Sequence, residues 1–117
     1  MSLTDDRQVI AAAASTVTGI DCEPSYQQSL TPGDGFVRLA VSNRADNGFG
    51  FVNTWQVWIA LSQDVATAEE WMDDHLSEVI DALDPVLLIT SATPSELILA
   101  GGASINGLIV EGARAAG

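Results

Sequence analysis

The chain has 117 residues, 47% hydrophobic and 17% charged, with 16 acids against four basic residues and a formal net charge of −12. That length is one domain, and that composition is globular rather than disordered. The basic residues are Arg7, Arg38, Arg44 and Arg114, with no lysine, which excludes nucleic-acid binding through clustered cations on phosphates.

The N-terminal MSLTDDRQ has no cationic run leading into an apolar one, so no signal peptide is expected and the chain is read as assembled in a cytoplasm. Thr4 or Ser2 can cap a helix whose positive end suits Asp5 and Asp6. Val9, Ile10, Ala13 and Val17 then make one apolar side, and alanines 11 to 14 favour helix. A helix is predicted over Thr4–Val17, stopped at Gly19. The apolar run Ile10–Ala14 is too short to span a bilayer.

Positions 21–35 read as loop with a short extended piece near Tyr26–Leu30. The segment ends in a turn signal, Thr31-Pro32-Gly33-Asp34-Gly35. Cys22 is the sole cysteine, so an internal disulfide and an all-cysteine metal site are excluded. Phe36–Val41 reads as a strand. Ser42–Gly50 is a polar, glycine-containing turn that joins it to Phe51–Leu61, making a hairpin. In that second strand Trp55, Val57, Ile59 and Leu61 share one side, and Thr54, Gln56, Trp58 and Ala60 the other.

Asp64–Asp84 carries eight acids (Asp64, Glu69, Glu70, Asp73, Asp74, Glu78, Asp81, Asp84) and no cation. Ala68, Met72, Leu76, Val79, Ile80 and Leu83 fall on one stripe of an amphipathic helix. Glu70, Asp73, Asp74, Ser77, Asp81 and Asp84 fall on the opposite stripe, an anionic wall that repels nucleic acid and phosphates. Thr67 with Glu70 fits a capping box, so the helix starts at Val65 or Ala68 and runs to Leu83, ended by Pro85. Val86–Thr90 is a short β run. Pro94 interrupts it, as a bulge or an edge position, and Glu96–Ala100 continues it. Gly101-Gly102 reads as a hairpin turn, with Ile105–Gly112 as the last strand and Arg114–Gly117 as a loose or neighbour-docked tail. The order predicts one α+β domain over residues 1–117: an antiparallel or mixed sheet of four to five strands with two helices on one side.

This order and several segments resemble the tail terminator (tail-completion) proteins of long-tailed, non-contractile phages of actinobacteria. The opening MSLTDDRQVIAAAASTVTGI is similar to the family's first helix and its "TVxGI/V" exit. Thr31-Pro32-Gly33-Asp34-Gly35 stands where the family has "PGDGF" or "PGDAW". FGFVNTWQVWIAL at Phe49–Leu61 resembles the "aromatic-x-x-x-Trp-x-Val" strand. Glu69–Leu76 resembles the "AxxWxDxH" helix, and Gly101-Gly102 precedes the last strand as in the family. The last strand, Gly107–Gly112, is less polar than the family's "LQITxR", and its basic residue comes late, at Arg114.

The resemblance implies a virion protein at the head–tail junction. Such proteins form a ring, typically a hexamer, that caps the last ring of tail-tube subunits, stops tube growth and offers a docking surface to a head-completion or connector protein. DNA passes through the channel without specific binding. A lysine-free anionic subunit suits that passage, because the attractive counterion-release contribution is absent.

No catalytic, cofactor or metal residues are assigned. Asp73, Asp74 and His75 are sequence neighbours and point about 100° apart on a helix, so they do not converge. Asp74 with Glu78 or Asp81 reads as a solvated acidic side. His75 has no nucleophile motif around it. Gly101-Gly102 lacks the spacing and lysine of a phosphate loop. Trp55 and Trp71 read as core. Trp58, on the other side of its strand, needs cover from a helix or a neighbouring subunit. The expected subunit-interface residues are Arg38, Arg44, Phe49 and Trp58, with Arg38 and Arg44 placed to pair with acids of the adjacent subunit. The expected acidic surface, facing lumen or solvent, is Glu70, Asp73, Asp74 and Asp81. The competing readings are another head–tail connector subunit (head-completion or stopper) and a small acidic DNA-mimic inhibitor.

Overall fold

The computed structural model describes residues 3–25, 31–44, 50–98, 102 and 104–115. Elements follow the order α1 (Leu3–Ala14), β1 (Asp21–Glu23), β2 (Asp34–Arg44), β3 (Phe51–Ala60), α2 (Val65–Leu83), β4 (Leu88–Ile98), β5 (Ser104–Ala115). The strands form one sheet ordered β1-β2-β3-β5-β4. Only the β1–β2 pair is parallel; the other three pairs are antiparallel. This is the expected α+β class. No described helix is long and apolar enough to cross a membrane.

Alternation along β3 sets the two sides of the sheet. Trp55, Val57 and Ile59 are fully buried, opposite Gly112, Val110 and Leu108 of β5 and Leu39, Val37 and Gly35 of β2. Ile10, Ala11 and Ala14 of α1 and Ala68, Val79 and Leu83 of α2 join the same cluster, so both helices cover this side. The other side carries a smaller cluster, Phe36, Ala60, Leu97 and Ile105, with Trp58 and Ile109 packed at its margin. The two-residue period alone separates these sets.

Helix α1 ends at Ala14 rather than Val17. Thr16 and Val17 donate to the carbonyls of Ala13 and Ala14, three residues back, so the last turn tightens. The Thr16 hydroxyl donates to Ala13 O (2.7 Å), and Ser15 Oγ accepts from Cys22 N (3.0 Å). Short hydroxyl side chains compete for backbone partners in this way and unwind helix ends. Ser15 thereby helps hold β1, a three-residue strand within the segment that reads as loop. The predicted extended piece at Tyr26–Leu30 lies outside the described residues. Gly33 has φ +96°, and a Cβ there would overlap the Gly19 carbonyl oxygen. Only glycine allows that crossing.

Several boundaries move. Ser42, Asn43 and Arg44 belong to β2, not to a turn, after a register shift between Leu39 and Val41; residues 45–49 lie outside the described set. Asp64, not Thr67, is the N-cap of α2. Thr67 instead donates its hydroxyl to Asp64 Oδ2 at 2.6 Å, which holds the Asp64 carboxyl below the usual carboxylate range.

Pro94 does not break β4, which is continuous from Leu88 to Ile98. The irregularity falls between Ile89 and Ser91 instead. β4 lies at one edge of the sheet, the second of the two positions expected for Pro94, where a missing N–H is tolerated. Gly102 has φ +84°, as a turn glycine would, with residues 101 and 103 outside the described set. Finally, Arg114 is not in a tail. β5 pairs with β3 as far as Ala115, and Arg114 Nε donates to Asp6 Oδ1.

Candidate functional site

The side of the sheet without helices carries the most organised group of partly exposed residues. Trp58 projects there from β3, between Phe36 of β2 and Ile109 of β5 in the ladder. Its ring centroid lies 5.2 Å from that of Phe36, tilted by 42°. The Arg38 guanidinium lies 5.3 Å from the Trp58 ring centre. Trp58 Nε1 donates to Gln56 Oε1 at 2.9 Å, and Gln56 Nε2 donates to Glu111 Oε1 at 3.3 Å. Arg38, Trp58, Gln56 and Glu111 therefore form a chain across three strands.

Two effects follow from that chain. The indole is fixed in orientation by a hydrogen bond and an aromatic neighbour, so little rotamer freedom remains to be lost on contact. The guanidinium over the ring adds a cation–π attraction of about 0.5–1 kcal/mol at an accessible site. A rigid tryptophan beside an arginine is the chemistry of the centre of a protein–protein interface.

The other expected interface residues lie apart from this group. Arg44, exposed at the far end of β2, pairs across the ladder with Phe51 and sits 6.0 Å from its ring centre. Phe49 lies outside the described residues. Glu70, Asp73, Asp74 and Asp81 are all exposed on α2, as the helical spacing predicts. His75 faces Glu78 Oε1 through Nδ1 at 3.3 Å and stacks at 4.9 Å on Trp71. Trp71 is half-buried against the main core rather than enclosed in it. Among the described residues, no three of His, Cys, Asp and Glu come together as a metal site.

The helical stripe of α2 is only partly used. Ala68, Val79 and Leu83 are buried, whereas Met72, Leu76 and Ile80 are half-buried. Those three line a trough of about 660 Å³ with Ala92, Pro94 and Leu108. An amphipathic pattern marks which residues leave water, but not whether the partner surface reaches them all. The link from Gln56 to Glu111 also escapes local reading, because its register is set between strands far apart in sequence.

The remaining two arginines are structural. Arg7 Nη1 donates to Val37 O at 3.0 Å, with its guanidinium 5.3 Å from the Trp55 ring centre. Arg114 binds Asp6 and also donates to Val86 O at 3.0 Å. No protein-family model matches the sequence, and no curated protein matches it.

Proposed function

We propose that this chain is a structural assembly subunit rather than an enzyme. In particular, it acts as a phage tail terminator: a ring, hexameric in the family it resembles, that caps the tail tube, ends its growth and presents a docking surface to the head. The observation that carries this reading is the fixed Trp58–Arg38 group on the helix-free side of the sheet. A neighbouring chain covering that side removes aromatic surface from water at about 25 cal/mol per Å². The end-to-end likeness of the segments to terminator proteins supplies the particular assignment. Its partners in this reading are further copies of itself, the tail-tube protein and a head-completion or connector protein.

The exposed acids of α2 fit a channel that DNA must traverse. With Glu70, Asp74 and Asp81 on its surface and no lysine, such a wall repels the phosphate backbone instead of gripping it. The place of action in this reading is the head–tail junction of the virion.

The test is electron microscopy of phage lacking this gene. Loss of a terminator gives overlong tubes. Tails of normal length beside heads that leak DNA would instead assign the chain to a stopper or head-completion role. A stable monomer that binds a basic nucleic-acid-binding protein would point to a DNA mimic.

A further inference from the structure

We propose that the trough between α2 and β4 receives the side chains of Arg44 and Phe51, paired at the end of the β2–β3 ladder, of the next copy of this chain, forming the seam of the ring. This seam rests on the ring reading above and gives the ring its contact.

The trough has an apolar floor and an acidic rim. Met72, Leu76, Ala92 and Leu108 line the floor, with Glu69 and Asp73 at the edge. A second hollow of about 240 Å³ shares Glu69, Met72 and Pro94 with the first. The larger volume is within the ~300–1,000 Å³ of sites that enclose a ligand of several side chains' size. Its occupant must combine an apolar body with a positive charge.

This chain presents such a pair. Phe51 is 48% exposed, and Arg44 lies over its ring. The alternatives within the chain are few, because only four arginines exist. Arg7 and Arg114 are committed to Val37 and to Asp6 with Val86. Arg38 stands with Trp58 on the side of the sheet away from the trough. A chain of net charge −12 repels its own copies unless a cation is set against acids where they meet.

Topology makes the contact intermolecular. Arg44 and Phe51 end β2 and begin β3, whereas the trough lies over β5 and β4, on the other half of the sheet. Two different patches that meet head to tail generate a ring when the rotation closes. The Trp58 group is then left for a different contact of the same assembly.

Native mass spectrometry of the full chain and of three variants tests this. The expected result is a ring for the wild type. Arg44→Glu, and separately Glu69→Arg with Asp73→Arg, should each weaken assembly at least tenfold while circular dichroism is unchanged. The combined triple variant should regain the ring, because both partners of the contact are reversed together. A ring that survives both reversals, or a triple variant that stays dissociated, overturns the seam while leaving the ring reading intact. Reversal at Glu69 and Asp73 that spares the ring but abolishes tube capping assigns the trough to the tube protein and overturns it too. A wild type that is monomeric and does not cap tubes ends both readings.

Discussion

Arg114 Nε donates to Asp6 Oδ1 at 3.0 Å, joining residues 108 positions apart. Asp6 is 1% exposed, so its charge is neutralised by protein and not by water. The same guanidinium donates to Val86 O, so one side chain fastens α1, β5 and the connection after α2. Removing one member of such a pair strands the other, which costs about 3–5 kcal/mol. Replacing both with apolar residues of similar size is often close to neutral. Arg114→Ala should therefore lower the urea midpoint by an amount worth about 3 kcal/mol or more. Asp6→Leu with Arg114→Met should unfold within about 1 kcal/mol of the wild type. Equal losses for the single and the paired change would show that the ion pair is not what holds these elements.

Burial pushes the Cys22 thiol up to about 12 from its ordinary 9.0, with smaller contributions from Glu23 and Asp21. In the unfolded chain the thiol ionises near 9.0 while the folded chain keeps its proton. Stability is thus unaffected by this group below pH 9 and falls as pH rises from 9 to about 12. The slope approaches ~1.4 kcal/mol per pH unit for one proton. Cys22→Ala should lose that decline in urea titrations run from about pH 8 to about pH 11. Thiol reagents at about pH 8 should label wild-type Cys22 only after denaturation, since an unionised buried thiol is inert.

Gly33 and Gly19 both have positive φ, but only at Gly33 would a Cβ meet backbone. Gly19→Ala should cost about 1–2 kcal/mol for the left-handed conformation. Gly33→Ala adds an overlap with the Gly19 carbonyl, and overpacking of this kind costs a further ~1–3 kcal/mol. Thermal unfolding of the two variants side by side isolates the steric part.

Arg38→Ala removes the guanidinium from the Trp58 ring at an exposed position of β2. The folded monomer should change by about 1 kcal/mol or less. Tube capping should fall well beyond that if the Trp58 group is an assembly surface. Electron micrographs of tubes grown with the variant would then show a longer, broader length distribution. An unaltered distribution would remove Trp58 and Arg38 from the assembly.

Reversing Glu70, Asp74 and Asp81 to lysine should convert α2 into a surface that holds DNA. Each phosphate that the new lysines neutralise should steepen the salt dependence of log K by ~0.9. Filter binding across salt concentrations measures it, with the wild type as the non-binding reference. A triple variant that still ignores DNA would argue against α2 as the channel wall.

The elements that can be read from the chain are those whose signal is local. Alternation in β3 separates Trp55, Val57 and Ile59 from Trp58. The spacing of Ala68, Val79 and Leu83 against Glu70, Asp74 and Asp81 orients α2. What stays hidden depends on distant partners. Pro94 leaves a bulge and an edge position both open until β4 is placed at one end of the sheet order. Asp21–Glu23 is too short to be recognised as a strand without β2 beside it. Arg114 looks like part of a small-residue tail because its partner, Asp6, lies at the opposite end of the chain. The half-filled stripe of Met72, Leu76 and Ile80 depends on how far α2 sits from β4, a distance that no periodicity encodes.

Pro94 and the irregularity near Ile89 both fall on the outermost strand, β4. A straight, unbroken rim would invite the main chain of another molecule to zip on, and then another, without limit. The proline withholds an amide and the kink spoils the spacing, so this border is a poor template for fibrous growth. Where copies meet in the proposed ring, contact would thereby be steered toward side chains, whose fit can saturate after a fixed number of molecules.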